Sequence, residues 1–493
     1  MDRSLNCPFL SHMELVAQVT GAHTQPCMDT GPLGRFERLC SHFDIPVDSA
    51  RQAAYRARRN SMASRAEKAA RQPDWYKLDN SALIYPAVMR RNWAAMFRVS
   101  ITLNETIDPD VLQRALEDTV RRIPTFRLSL HRGLFWYYLN LNKRMPRVEP
   151  DVLNPCKKID KEENDGYCFR VRYYRERIAV ELFHSISDGT GAMCFLKTLA
   201  ARYLILRGHP IPAGEGVLDC DGEPRPEEME DSHTKYAKFQ HIESRRETAA
   251  YHPAMTREPV HTLHITTGRM PVEQVHSRAK AMGVSVNEYL AGALCHAFCR
   301  LQQAEGRRRK KPVKISVPIN MRSFYPSETV RNFSLFVNPG VDPAYGEYSF
   351  EETVQQIHHF MRLRLNEKYL NAVLSANVGN QKNTAARMTP LFLKNWAMDI
   401  GYRLYGESRY TVALSNLGVM RVPAAMEPFV RRFDFIMGPP RTNTHGATAV
   451  SYGGTLNLTV ASVVEETEAE RLLFTELVRR GIHVTVESNR YPV

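Results

Sequence analysis

The stretch Ile178-Ala179-Val180-Glu181-Leu182-Phe183-His184-Ser185-Ile186-Ser187-Asp188-Gly189 constrains this chain most. Ile178, Val180 and Leu182 alternate as on a half-buried β-strand, and His184 closes the strand on the same side. Asp188-Gly189 then turns the chain into a helix predicted over 190–206, with Phe195, Leu196, Leu199 and Tyr203 along one side. A histidine at a strand end beside a turn presents its ring in a defined direction. Its ordinary pKa of about 6.5 suits a general base near neutral pH. Asp188 can brace the loop through hydrogen bonds or a cationic partner. Given 17 histidines, H-x-x-x-D-G arises by chance on the order of 0.04 times in this chain. The competing local reading is a core histidine followed by an ordinary Asp-Gly turn.

Length and charge limit the setting. The 493 residues exceed the need of one small core and suggest two to three units. With 43% apolar and 24% charged residues, collagen-like, coiled-coil and wholly disordered chains are excluded. No apolar run reaches the roughly 18 residues of a membrane span. The first 20 residues lack a basic segment followed by an apolar block, so no secretory signal is expected. Nine scattered cysteines without a CxxC pair favour reduced thiols and a cytoplasmic location. Net charge is +13, and residues 51–72 (+6) with Arg307–Lys311 (+5) account for most of it. Two local patches without zinc-finger, RNA-recognition or helix-turn-helix signatures do not make a nucleic-acid-binding face. The run 307–311 reads as a solvated loop, with coenzyme A phosphates as the functional alternative.

Organisation follows from composition and periodicity. Residues 1–73 read as a basic, disordered or loosely helical extension, 74–207 as a first half, 208–258 as a linker with an acidic cluster, and 259–493 as a second half. Strands are predicted near 94–103, 126–130, 134–141, 167–173 and 176–183, then 259–267, 313–318, 333–338, 409–415, 446–452 and 455–461. Asp108-Pro109 opens a helix with Val111, Leu112, Ala115, Leu116 and Val120 on one face. Capping boxes are expected at Ser285/Glu288, Ser349/Glu352 and Thr467/Glu470. Leu391–Tyr405 is apolar at helical spacing and is expected in the core, a substrate-tunnel wall or membrane contact being the alternatives. Cys194 reads as core rather than nucleophile. Cys295 and Cys299 share a helix face without a matching histidine pair, so no metal is expected. The class is α/β (mixed α+β).

The His184 segment resembles the H-x-x-x-D-G motif of the chloramphenicol acetyltransferase-like acyltransferase superfamily. The resemblance extends in order through WYKLDNSALIYPA (75–87), VPINMRSFYPSETVRNFSLFVNPGVD (317–342), SNLG (415–418) and RFDFIMGPPRTN (432–443), over about 75–490. It is nearest to the alcohol O-acetyltransferase branch. Where many relatives carry two adjacent histidines, the first position here is Phe183, and there is no D-F-G-W-G motif. The resemblance implies two subdomains, each a mixed β-sheet flanked by helices, with a cleft or tunnel between them. It implies acyl transfer, by default acetyl, from a coenzyme A thioester to a small-molecule alcohol or amine. His184 would be general base, Asp188 structural support paired with Arg322, and Gly189 the turn. Ser415 and Asn416 are candidates for the oxyanion or substrate region. It implies acetyl-CoA or another acyl-CoA as co-substrate and no tightly bound cofactor or metal. A monomer without nucleic acid or membrane span is expected. A catalytically silent acyltransferase-like binding protein is the alternative, raised by Phe183 and the basic N-terminus.

Overall fold

In the computed structural model, which describes residues 75–238, 247–306, 308–382 and 388–490, elements form where side chains can end them. The extension expected over 1–73 and Arg307 of the second basic run lie outside those residues. Asp108 accepts from the backbone N–H of Asp110 and Val111, and Pro109 opens the helix Pro109–Arg122. All five residues expected on its inner face are buried. The Ser285/Glu288 and Ser349/Glu352 capping boxes are present. The Thr467/Glu470 box is not. Thr467 makes no side-chain cap bond, and Glu470 is drawn instead to the Ser462 hydroxyl at 3.1 Å.

A first mixed sheet runs in the order Val430–Met437, Met96–Leu103, Arg177–Phe183, Phe169–Tyr174, Val148–Pro150. Phe97, Val99, Ile101 and Leu103 enter a core shared with the helices Pro109–Arg122 and Gly189–Leu206. The opposite face is covered too. There buried Glu181 pairs with Arg98 at 2.9 Å and Arg170 at 2.6 Å. Arg177–Phe183 is therefore buried on both faces rather than half-buried, the second by ion pairs that alternation could not reveal.

The second sheet runs Ser334–Val337, Val313–Asn320, Val412–Val419, His445–Tyr452, Thr455–Ser462, His264–Pro271, Thr485–Ser488, with Gly340–Val341 added on Val313–Asn320. Ala447, Ala449, Leu458 and Val460 face a core with the helices Val286–Ala304, Phe350–Arg364 and Glu468–Arg479. Val450 and Ala461, on the other face by alternation, join the first core.

Strand Val430–Met437 departs from the sequential division. It falls in the second half by sequence yet pairs antiparallel with Met96–Leu103, Phe435 opposite Val99. Phe433 and Phe435 carry it into the first core. The acidic segment after residue 208 is also strapped down. Buried Glu228 takes both guanidinium nitrogens of Arg122, at 2.5 and 2.8 Å.

Helix Leu391–Tyr405 is not core. Its apolar side faces outward, with Phe392 60%, Trp396 68% and Leu404 54% exposed. Its polar side chains face inward because their partners are there. Asn395 donates to the Tyr137 hydroxyl at 2.8 Å, Asp399 accepts from Arg441 at 2.5 Å, and Tyr402 donates to Glu407 at 2.8 Å. Among the described residues no helix is long and apolar enough to cross a membrane.

Candidate active site

His184 follows directly on the strand Arg177–Phe183, and its backbone N–H donates to Ala95 O at 2.9 Å. The ring is held on three sides. Tyr85 stacks on it at 4.5 Å, Phe97 meets it edge-on at 5.0 Å, and Nδ1 lies 2.9 Å from Asn332 Oδ1. Tyr85 and Phe97 belong to the first half and Asn332 to the second, so the ring sits where the halves meet. It remains partly exposed. Burial pushes its pKa below the usual 6.5, with a bond to its own backbone, then Asp188, Asn332 and Asp79, pulling the other way. A neutral imidazole at physiological pH can accept a proton.

Asp188 caps the helix Gly189–Leu206, accepting from Gly191 N at 3.0 Å. Its other oxygen accepts from Phe333 N and Arg322 Nη1, each at 2.8 Å. Burial alone would raise its pKa. Arg322 and the backbone donors outweigh that and hold it below the usual 3.8. Arg322 in turn donates to the carbonyls of Thr329 at 2.8 Å and Arg331 at 2.6 Å. The pair thus ties the histidine loop to the loop that carries Asn332.

Gly189 begins the helix without a left-handed φ, so the expected need for a tight turn does not explain it. A Cβ there would come within 2.7 Å of Leu417 Cδ2. Gly191 is tighter, since its Cβ would lie 2.0 Å from Val330 O. Ser415 and Asn416 lie on Val412–Val419 just before Leu417, so that strand abuts the start of the motif helix. Asn416 Oδ1 accepts from Gly418 N at 2.8 Å. Phe183 is a packed core side chain.

Sequence reasoning assigned no role to Asn332, Asp79 or Tyr85, although all three fall within the segments 75–87 and 317–342. Asn332 Nδ2 donates to Asp79 Oδ2 at 3.3 Å, and Arg331 Nε lies 3.6 Å from the same oxygen. Periodicity carries no signal for contacts spanning 148 and 253 positions. Among the described residues no cluster of three or more His, Cys, Asp or Glu could hold a metal. Cys194, at the edge of the first core, has its pKa pushed up to about 11 by burial, which makes it a poor nucleophile.

No family model matches the chain, and no curated protein does. Solved structures are similar to it. F. graminearum TRI101, complexed with coenzyme A and T-2 mycotoxin, is 9% identical with a TM-score of 0.56, over 84% of this chain and 100% of that one. The TRI3 trichothecene 15-O-acetyltransferase from Fusarium sporotrichioides is 9% identical with a TM-score of 0.51, over 82% and 94%. The starter condensation domain of rhizomide synthetase, in complex with C8-CoA and Leu-SNAC, is 10% identical with a TM-score of 0.52, over 83% and 95%.

Proposed function

We propose, from the premise that the chain has the chloramphenicol acetyltransferase-like fold, that it transfers an acyl group from a coenzyme A thioester to an alcohol or amine. The observation that carries this reading is His184: a partly exposed imidazole at the meeting of the halves, with Nδ1 engaged by Asn332 and its pKa lowered by burial. Nε2 takes the proton of the acceptor O–H or N–H as that atom attacks the thioester carbonyl carbon. The tetrahedral oxyanion needs donors, and Ser415 and Asn416, on the strand whose Leu417 lies beside Gly189, are the candidates for that role. The intermediate collapses, the C–S bond breaks, and the imidazolium returns its proton to the departing sulfur. The products are ester or amide and free coenzyme A. Asp188 and Arg322 support the loop without touching the reacting atoms. The alcohol O-acetyltransferase likeness and the usual acyl default make acetyl-CoA the first donor to try, with a cytoplasmic monomer as the expected form.

The test is a screen of alcohols and amines with acetyl-CoA and longer acyl-CoAs, reading free thiol. Turnover is expected in the wild type, and His184→Ala should lower it by about 10²–10⁴-fold while acyl-CoA binding survives. Equal turnover in the variant would overturn the mechanism. A wild type that binds acyl-CoA but turns over no acceptor would favour the silent binding protein.

A further inference from the structure

We infer that Asp79 and Asn332 are positioning residues that hold the proton of neutral His184 on Nδ1, leave Nε2 as the base, and steady the imidazolium once it forms. The inference deepens the acyltransferase reading and rests on it.

The argument is one of donors and acceptors. A carboxylate only accepts, so the amide nitrogen of Asn332 must face Asp79, as it does at 3.3 Å. The amide oxygen then faces His184 Nδ1 at 2.9 Å. Two acceptors cannot share that contact, so Nδ1 carries the hydrogen. Asp188 cannot serve this purpose, because its oxygens are taken by Gly191 N, Arg322 and Phe333 N.

Asp79 and Asn332 are 0% and 1% exposed, so water does not compete for either group. The other donors at Asp79 are Ala82 N at 2.9 Å and the Ser81 hydroxyl at 3.4 Å, and the Arg331 guanidinium makes an ion pair with it at 3.6 Å. Arg331 is itself anchored on Lys77 O at 2.6 Å. Burial raises the Asp79 pKa, Arg331 and then His233 oppose the rise, and Asp231 adds to it. Protonated Asp79 would donate to the amide oxygen, turn the amide over, and aim its NH2 at Nδ1. The hydrogen would then move to Nε2 and the base would be lost. The charge on Asp79 therefore decides which nitrogen of His184 is basic.

The test compares wild type, Asp79→Asn, Asn332→Ala, Asn332→Asp and His184→Ala. It uses acetyl-CoA with an acceptor that the wild type turns over, and measures kcat, KM, Tm and the pH profile. Asp79→Asn and Asn332→Ala should lower kcat by about 100-fold, with KM for acetyl-CoA within about twofold. Asn332→Asp should recover kcat to within about tenfold of wild type. It should also move the acid limb of kcat to higher pH, because a carboxylate at Nδ1 stabilises the imidazolium. A purely structural role moves Tm and leaves that limb where it was. The inference is overturned if the losses track Tm alone, or if the Asn332→Asp limb is unshifted. Should Asp79→Asn fail to fold, the two Asn332 variants decide. If His184→Ala is inactive while Asp79→Asn and Asn332→Ala match wild type, only the relay fails. If His184→Ala is fully active, the acyltransferase mechanism fails first.

Discussion

His184 and Asp188 differ in what surrounds them, and their pH behaviour should differ accordingly. Burial lowers the His184 pKa below 6.5, so the acid limb of kcat/KM should have its midpoint below that value. A pH–rate profile checks this, and a midpoint above 6.5 would contradict the environment described. Asp188 is held below 3.8, chiefly against burial by Arg322. A depressed carboxyl stabilises the fold above its unfolded pKa, and that contribution is lost as pH falls through the lower folded value. Asp188→Asn should therefore cost about 3 kcal/mol near pH 7, because Arg322 keeps its burial and loses its charge partner. His184→Ala should cost far less. The double variant of Asp188 and Arg322 should cost less than the sum of the singles, as thermal melts would show; strict additivity would mean the two are not coupled. The Asp188–Arg322 pair was legible from motif resemblance across 134 positions. Asn332 and Asp79 lay inside recognised segments, but no local pattern says that an amide in one and a carboxylate in another converge on a ring in a third.

At the scale of elements, the strand, turn and helix around His184 were readable because capping and alternation are local. Where an element's surroundings decide, reading failed. Glu470 had the spacing of a capping box but found Ser462 instead. Leu391–Tyr405 had the composition of a core helix, yet inward partners for Asn395, Asp399 and Tyr402 turned it apolar side out. The motif helix yields a prediction that separates its two glycines. At Gly191 an added Cβ would meet the Val330 carbonyl oxygen at 2.0 Å, and backbone cannot yield easily. At Gly189 it would meet the tip of a leucine at 2.7 Å, which can rotate. Replacing glycine by alanine within a helix gains about 1 kcal/mol, and overpacking costs about 1–3. The clash wins at Gly191 and roughly cancels at Gly189. Gly191→Ala should thus lower Tm and activity together, the latter because Val330 lies two residues from Asn332. Gly189→Ala should be much milder, although Gly189 is the motif glycine.

For the whole molecule the exchanged strand Val430–Met437 matters most. It overlaps the resembling segment 432–443, but local sequence carries no signal of its pairing there, because its partner Met96–Leu103 lies far away in sequence. It completes the first sheet while the next strand, His445–Tyr452, belongs to the second, so the halves should unfold together. Phe433→Ala removes a ring that is 1% exposed and should cost about 3–5 kcal/mol. Hydrogen exchange on that variant should show protection falling in both sheets at once. Loss confined to the first sheet would mean the halves melt independently. The same strand sets a schedule for synthesis. Roughly 330 residues must follow Leu103 off the ribosome before its neighbour arrives, about 15–65 s at about 5–20 residues per second. Through that interval the nascent chain carries an unpaired edge beside a half-built core, the kind of edge that invites pairing between chains. Slow elongation or early termination near residue 429 should therefore show up as chaperone dependence and aggregation in the cell, before any effect on chemistry can be measured.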